Sequence, residues 1–413
     1  MKKIGISKRH YIAIAMIVVV FLFTVIKVNG QNFQNFTTTD GLPDNFVLGI
    51  AVDTNNVKWV ATANGVGSYN DTTWTIYRVA DGLADNYAYS ISVDKNNQVW
   101  VGTDYGVSKF NGTTWTNYTT TDGLISNSVN YIYGANDGSV WFATQSGVSK
   151  YNLGTFTNYT TTDGLSSNSV YSISSDNTGN IWFCTQMGGV SKFNGTTFTN
   201  ITKATTDSLL DDNTFAIGFD QNNNRFIGTW YGISKLNSSD AWVENYRIED
   251  GLYNNFVRDI KSDSDGNIWV GMFADYNFDG GISKFNGTNW VSYSVTDGLV
   301  NTQVTGIAID KQNKPWISTG GGVSKINANT GIENFTENPV VDVYPNPVKQ
   351  TLFINTNNQN YTMKIVDAQG RMMAEQMLTP ESNQISLEQF TSGIYYIHLS
   401  NNKNSITKKI VVL

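Results

Sequence analysis

The sequence predicts an all-β protein, a seven-bladed β-propeller followed by a small Ig-like β-sandwich. Three observations predict it: a motif recurs at nearly constant spacing, each period contains the pattern of four short strands, and the composition changes after the last period. The motif is Asp-Gly-Leu or a close variant, and its copies follow one another at steps of 41 to 47 residues. The seven copies begin at Asp40, Asp81, Asp122, Asp163, Asp207, Asp250 and Asp297.

Each period supplies the strands of one sheet. Ten positions after the aspartate an isoleucine recurs, within a run that has large residues at every second place, which predicts a first strand. A polar turn and an aromatic residue open a second strand, a Gly-Val-Ser-Lys-like segment opens a third, and a segment with two aromatic residues forms a fourth. The isoleucines are Ile50, Ile91, Ile132, Ile173, Ile217, Ile260 and Ile307.

The blades must assemble to be stable. A large apolar side chain contributes roughly 1.5–3 kcal/mol when buried, and ordering the backbone costs about 1–2 kcal/mol per residue. Seven radial sheets that close into a ring bury both faces of every sheet. We therefore predict a propeller over residues 31–337. The outer-strand pattern occurs once too often, so Phe33–Thr37 and Ile332–Thr336 both remain candidates to complete blade seven.

The N-terminus has the pattern of a secretory signal peptide, predicted at residues 1–30. Basic residues precede an uncharged apolar run, Tyr11–Ile26, and Gly30 stands where cleavage would leave Gln31 first. The run is shorter than the roughly 20 residues of a membrane-spanning helix. An uncleaved anchor is the alternative.

The composition excludes several classes of function. The formal net charge is −7 and the basic residues are scattered, so no nucleic-acid partner is predicted. The two histidines, His10 and His398, lie outside the repeats, which excludes Ser/His or Cys/His pairs and histidine-bound zinc from the propeller. The single cysteine, Cys184, takes a place held by alanine or glycine in other copies, and a packed thiol is expected.

After the repeats the composition shifts. Prolines cluster at the start of residues 338–413, and strand patterns follow, which predict a small β-sandwich. The strands expected from these patterns are Thr351–Thr356, Tyr361–Asp367, Gly393–Ser400 and Ile406–Val412.

The repeat resembles the two-component regulator propeller repeat. The shared features are an N-x-V-x-x-I strand, a D-x-x-G-N-I-W-V-G-T hairpin and a G-V-S-K-F-N-G strand, and all seven copies carry versions of them. In that family the repeats commonly build the extracytoplasmic sensor part of hybrid histidine kinases that recognise oligosaccharides. The resemblance therefore implies a propeller with a binding role.

The C-terminal segment looks like the type A sorting domain of the type IX secretion system. Val343–Pro347 matches its opening, Ile365–Arg371 its middle, and Ser392–Tyr395 with Lys409–Val412 its end. The resemblance implies passage through the outer membrane by the type IX secretion machinery, removal of the segment, and often attachment of the cargo to surface lipopolysaccharide. An ordinary sandwich used for binding is the alternative.

The two faces of the predicted ring differ. The turns after strands one and three of each blade share one face and are uniform, whereas the loops between strands two and three share the other face and vary, which predicts a binding surface there. Aromatic rings beside amides and carboxylates suit a glycan, and a protein contact or simple cover for blade edges is the alternative. The candidate ligand-binding residues are Asp104, Tyr105, Gln145, Gln186, Trp230, Tyr231 and Tyr276.

The corresponding loop of blade six suggests one metal site. Asp275, Asn277 and Asp279, followed by Gly280, fit the first six places of a calcium loop, in which alternate oxygens converge. The twelfth place, normally glutamate, is Asn286. A calcium site and a plain acidic loop both remain open, and no other cofactor is predicted.

Two recurring columns have structural interpretations. The mid-strand lysines are expected to be solvated or locally paired. The polar residue five positions after each aspartate, Asn45 in the first copy, is expected to serve the turn and the entry into the strand, with contact to a ligand at the axis as the alternative. The lysines are Lys109, Lys150, Lys192, Lys235, Lys284 and Lys325.

Two functions therefore remain open. The first is a monomeric, non-catalytic binding module, secreted or displayed at the cell surface, that takes a glycan or a protein on the varied loops. The second is a carbohydrate-active enzyme, a polysaccharide lyase or glycosidase, which needs two carboxylates, or a carboxylate and a tyrosine, near the axis. No spacing in the sequence pairs the acids Asp104, Asp275 and Asp279.

Overall fold

The computed structural model describes residues 33–205, 209–274, 279–327, 342–356, 360–367, 371–380, 382–400 and 405–413. The chain divides into two compact units, Met1–Asn329 and Thr330–Leu413. The predicted signal peptide and the second candidate outer strand, Ile332–Thr336, lie outside the described residues. Within the described ranges, none of the helices has the length and apolar character needed to span a bilayer.

The first unit consists of seven four-stranded antiparallel sheets, as the repeat predicts. Blade one comprises β2 (Val47–Val52), β3 (Lys58–Thr62), β4 (Gly65–Tyr69) and β5 (Trp74–Tyr77). Blade two comprises β6 (Ser90–Val93), β7 (Val99–Thr103), β8 (Gly106–Phe110) and β9 (Trp115–Tyr118), and blade three β10 (Tyr131–Gly134), β11 (Val140–Ala143), β12 (Val148–Asn152) and β13 (Thr155–Tyr159).

The remaining blades repeat this order. Blade four comprises β14 (Val170–Ser175), β15 (Ile181–Thr185), β16 (Val190–Phe193) and β17 (Phe198–Ile201), and blade five β18 (Thr214–Phe219), β19 (Arg225–Thr229), β20 (Gly232–Leu236) and β21 (Trp242–Tyr246). Blade six comprises β22 (Val257–Ser262), β23 (Ile268–Met272), β24 (Gly281–Phe285) and β25 (Trp290–Tyr293). Blade seven comprises β26 (Val304–Ile309), β27 (Pro315–Thr319), β28 (Gly322–Ile326) and β1 (Phe33–Phe36).

The N-terminal strand closes the ring. β1 pairs antiparallel with β28, with Phe33 opposite Ile326 and Phe36 opposite Val323. Phe36 is buried and stacks on Trp316, with 5.3 Å between ring centroids. The first strands of neighbouring blades contact each other around the whole ring, including β2 with β26. Of the two candidates, Phe33–Thr37 therefore supplies the outer strand of blade seven.

The Asp-Gly-Leu motif builds the connection between blades. Asp40 ends a 3-10 turn, and its carboxylate accepts a hydrogen bond from the backbone N–H of Thr37 at 2.9 Å. Gly41 follows at φ 106°, in the left-handed region that favours glycine, and the leucine of the motif is buried. Asn45 Oδ1 accepts from the backbone N–H of Thr38 at 2.7 Å, so this column serves the turn, as expected. The 3-10 turns are Thr38–Asp40, Val79–Asp81, Thr120–Asp122, Thr161–Asp163, Ile248–Asp250 and Val295–Asp297.

The aromatic residue of the second strand anchors its blade. Trp100 is fully buried, and its Nε1 donates to Asp94 Oδ2 at 2.8 Å. Lys109 stands opposite Trp100 on β8, with its Nζ 5.0 Å from the ring centroid, where the electrons of the ring attract the cation. The lysines are thus locally paired, as expected. The same contact recurs at Lys150, Lys192, Lys235, Lys284 and Lys325.

The single cysteine is a packed thiol, as the sequence predicts. Cys184 lies on β15 within the core between blades four and five. Burial raises the pKa of its thiol to about 12. The thiolate, which is the reactive form, is therefore scarce at neutral pH.

The second unit is a two-sheet sandwich with more strands than the sequence predicts. Its buried core includes Leu352, Ile365 and Ile397. One sheet contains β29 (Asp342–Tyr344), β30 (Thr351–Asn355) and β33 (Ser382–Ser386). The other contains β32 (Met372–Leu378), β31 (Tyr361–Asp367), β34 (Gly393–Ser400) and β35 (Ser405–Val412).

Truncation of Phe36 tests the closure of the ring. We expect Phe36→Ala to lower the free energy of unfolding by about 3–5 kcal/mol, because it leaves a cavity beside Trp316 where the two ends of the repeat array meet. Leu153→Ala, at a residue that is 96% exposed, serves as the control and should have almost no effect. Denaturant unfolding of the mature chain measures both, and equal stability of the two variants would contradict closure by β1.

Candidate functional site

A cavity lies on the axis of the ring. It measures about 70 Å³, room for a few water molecules, and the first strands of all seven blades line it. Seven of its lining residues occupy one aligned position, two residues before the recurring isoleucine, and six residue types occur there, with tyrosine in both blade two and blade four. The seven residues are Leu48, Tyr89, Asn130, Tyr171, Phe215, Arg258 and Thr305.

The cavity lies toward the varied loops. Each first strand begins on the face that carries the loop between strands two and three, because these strands run antiparallel and in chain order. Five of the aligned lining residues are the second residue of their strands, as Tyr171 is in β14 and Arg258 in β22, and the other two, Tyr89 and Asn130, directly precede theirs. We call this side of the ring the variable-loop face.

Aromatic rings connect the cavity with the variable-loop face. Tyr171 stacks on Phe215 at 5.0 Å, and Phe215 contacts both Trp230 and Phe256, at 5.6 and 5.3 Å between centroids. Trp230 stacks closely on Phe256, at 4.4 Å and 12° between planes. Because Trp230 remains 49% exposed, this aromatic array runs from the lining of the cavity to solvent.

A polar group lies near the cavity at blade two. The Tyr89 hydroxyl donates to Asp104 Oδ2 at 2.6 Å, and the Ser128 hydroxyl donates to Asp104 Oδ1 at 2.7 Å. The hydrogen bond to Asp104 raises the pKa of Tyr89 to about 12, so the phenol is neutral at physiological pH. Asp104 thus joins its own loop to the segments that lead into the first strands of blades two and three.

A second polar group connects blades six, three and seven. Asp259 Oδ1 accepts from Lys261 Nζ at 2.8 Å, and its Oδ2 accepts from the backbone N–H of Ile307 on β26 at 2.8 Å. Lys261 Nζ also donates to the hydroxyl of Tyr131, three blades away, at 3.4 Å. Burial lowers the pKa of Lys261, but Asp259 and Tyr131 outweigh burial and hold it above its usual value, so the ammonium stays charged. This chain of bonds crosses from blade six to blade three.

Arg258 is the remaining charged residue among those that line the cavity. Arg258 is exposed to solvent, and desolvation by the protein atoms around its side chain lowers its pKa, while nearby Asp259 opposes the effect. An arginine side chain remains protonated in proteins regardless. With other described residues, the Arg258 side chain forms neither a salt bridge nor a side-chain hydrogen bond. Because Lys261 already compensates Asp259, the cavity carries one net positive charge.

The structure brings only some of the predicted site residues to this place. Asp104 and Trp230 contact residues that line the cavity, whereas Tyr105 and Tyr231 are exposed, at 67% and 59%, on the same loops. Gln145 and Gln186 lie exposed in the loops of blades three and four.

The predicted calcium loop is only partly within the described ranges. Asp275, Tyr276 and Asn277 lie outside the described residues, and Asp279 is exposed, with its backbone carbonyl accepting from Asn254 Nδ2 at 3.2 Å. Among the residues that the structure does describe, no three His, Cys, Asp or Glu side chains cluster in a way that would hold a metal ion. Calcium binding at this loop stays a prediction.

The opposite face has a structural task that explains its uniform turns. Asn97 adopts φ 60° in its turn, and its Oδ1 accepts from the backbone N–H of Thr54 in the preceding blade at 2.6 Å. Asn313 accepts in the same way from Ser264 at 2.8 Å. These bonds tie neighbouring blades together, and each of them requires asparagine at this place in its turn. The loops on the variable-loop face do not carry these bonds, so their sequences can differ between blades.

The repeats and the C-terminal unit each match a family model. Residues 82–105, 123–146, 164–187 and 252–274 match "Two component regulator propeller", and residues 342–413 match "Secretion system C-terminal sorting domain". No curated protein matches the chain in sequence.

Solved structures share the propeller fold. The extracellular domain of the hybrid two-component system BT3049 from B. thetaiotaomicron is 16% identical with a TM-score of 0.66, over 92% of this chain and 57% of that domain. PorZ of Porphyromonas gingivalis, an essential surface component of the type IX secretion system, is 18% identical with a TM-score of 0.57, over 91% of this chain and 60% of PorZ. The chain thus spans less than two thirds of either relative.

Propellers that are enzymes share the fold as well. A catalytically inactive histidine-to-alanine variant of virginiamycin B lyase from Staphylococcus aureus, with quinupristin, is 13% identical with a TM-score of 0.57, over 71% of this chain and 98% of the lyase. At such identities the likeness shows the fold alone. From the two family models, the chain combines repeats of the two-component regulator propeller type with a C-terminal sorting domain of the type IX secretion system.

Proposed function

We propose that this protein is an exported, non-catalytic binding module that holds a glycan over the axial cavity, on the variable-loop face. The observation that carries the proposal is the aromatic array from Tyr171 to the exposed Trp230. Sugar rings present C–H faces that pack on aromatic rings, and their hydroxyls bond to polar groups beside them. A protein ligand on the same loops is the competing occupant.

The dimensions of the site set how a glycan would lie. A cavity of about 70 Å³ admits a substituent of the ligand but not a whole chain of sugars. The sugar rings therefore rest on the aromatic array above it, with Asp104 at blade two positioned to accept from hydroxyls. Tyr105 and Tyr231, exposed on neighbouring loops, extend this surface outward.

The sorting domain implies export across the outer membrane by the type IX secretion machinery. Attachment to the cell surface is part of the proposal, and the shared fold of PorZ, a surface component, supports it. A surface location would place the variable-loop face where it meets polysaccharides outside the cell.

A carbohydrate-active enzyme is the weaker proposal. The propeller sequence has no histidine, whereas the inactive lyase variant differs from its enzyme by loss of one. A tyrosine that acts as a catalytic base needs a lowered pKa. At the cavity the pKa values are raised instead, that of Tyr89 by the hydrogen bond to Asp104 and that of Tyr131 by burial. Asp259 already accepts hydrogen bonds from Lys261 and from two backbone N–H groups. These groups suit positioning more than proton transfer.

The glycan site is tested with Trp230→Ala. We expect roughly threefold to tenfold weaker retention of the polysaccharide that the mature protein binds best, because one stacking surface is lost. Trp242→Ala is a matched control, since Trp242 is similarly exposed, at 52%, but lies on the outer strand of the same blade. A polysaccharide panel that scores retention and released product together provides the measurement. Retention unchanged by Trp230→Ala would remove this site, and released product would favour the enzyme.

The export route is tested by removing residues 342–413. We expect the truncated protein to accumulate inside the outer membrane, because the segment that matches the sorting domain is absent. The full-length Trp230→Ala variant is the control and should be exported normally. Fractionation of cells with antibody detection distinguishes the two, and the export route is wrong if the truncated protein still reaches the medium or the surface.

A further inference from the structure

We infer that the axial cavity is an anion subsite in which Arg258 binds the carboxylate or sulfate of an acidic saccharide. This inference rests on the proposed glycan site and names the class of glycan that it takes. Arg258 lines the cavity and has no ion-pair partner among the described residues, whereas Lys261 is already paired with Asp259. A guanidinium presents a planar fork of donors that matches a carboxylate or sulfate.

The charges around the cavity favour an anion over a neutral group. Three charged residues line it, and the Lys261–Asp259 pair at 2.8 Å cancels, which leaves the charge of Arg258. Asp104, an acid that contacts the lining of the cavity, belongs to blade two and is engaged by Tyr89 and Ser128. Arg258 is thus a solvent-accessible cation in the wall of the cavity, without an ion-pair partner among the described residues.

The start of β22 places the cation next to the stacking surface. Phe256 directly precedes β22, and Arg258 is the extra residue of a β-bulge at the start of this strand. Phe215, which lines the cavity together with Arg258, contacts Phe256 at 5.3 Å between ring centroids. Phe256 stacks on Trp230 at 4.4 Å, and Arg258 follows it toward the interior. A sugar ring that packs against this pair therefore directs a substituent into the cavity, whose volume of about 70 Å³ suits one small charged group.

The test compares acidic saccharides with neutral partners of the same backbone. The mature full-length protein is titrated calorimetrically with oligogalacturonate and its carboxyl-reduced form, and with dextran sulfate and dextran. We expect at least one acidic member to bind about tenfold more tightly than its neutral partner, as one charge-assisted contact would give. Preference in the first pair alone identifies a carboxylate, and in the second pair alone a sulfate.

Variants at Arg258 assign the preference to this residue. Arg258→Gln should abolish the acid preference while leaving the affinity for the neutral member unchanged, and Arg258→Lys should retain part of it. Arg247→Gln is the matched control, because Arg247 precedes the same blade but does not line the cavity. Thermal unfolding of each variant checks that it folds, and Arg258→Gln should have the same melting temperature as the parent protein.

Two results would overturn the inference and are distinct from failure of the glycan site. If neutral saccharides bind, are weakened by Trp230→Ala and show no acid preference, the glycan site stands and the anion subsite is wrong. An acid preference that survives Arg258→Gln likewise assigns the anion contact elsewhere. If instead Trp230→Ala changes the binding of no saccharide and none shows an acid preference, both the glycan site and the subsite fail.

Discussion

The pairing of β1 with β28 is the constraint on which the rest of the propeller depends. These strands come from opposite ends of the repeat array, and their register sets Phe33 opposite Ile326. Through this pairing seven sheets form a circle instead of an open stack, and blade seven meets blade one, where Thr305 Oγ1 donates to the carbonyl of Val47 at 2.7 Å. An axial cavity lined by all seven blades exists only in the closed form.

Within the ring, a small set of repeated contacts stabilises the blades and their connections. In the six described 3-10 turns the aspartate caps the turn, in blades two to seven a lysine covers the aromatic residue of the second strand, and asparagines tie neighbouring turns together. Because these repeated contacts satisfy the structural needs of the blades, the positions that face the axis have no common task. That freedom is what allows an aromatic residue in one blade and an arginine in another.

The sequence predicts the parts of the fold that repeat and misses those that depend on closure. Blade number, strand order and the roles of Asn45 and Lys109 follow from one period, because local bonds determine them. Arg258 is missed because it lies inside a strand with the pattern of a core strand, although its aligned position carries six residue types in the seven copies. The position before it is valine in five copies, and the isoleucine two places after it recurs in all seven. A variable position beside constant ones within a repeated strand can be recognised from the sequence alone. The partners of Asp104 could not be anticipated, since Tyr89 and Ser128 meet it only when two blades pack side by side.

Electrostatics determines the range over which the protein can attract an anionic ligand. The chain has a formal net charge of −7, so an acidic saccharide is repelled, not steered, at long range. At physiological ionic strength this repulsion is screened beyond about 8 Å. Arg258, in contrast, acts at contact: it is exposed to solvent but lies in the protein wall of the cavity, where an ion pair is stronger than in bulk water. The protein therefore selects an anion by contact at the axis and not by attraction from a distance, and the neutral stacking surface of Trp230 and Phe256 must hold the sugar while the charged group enters.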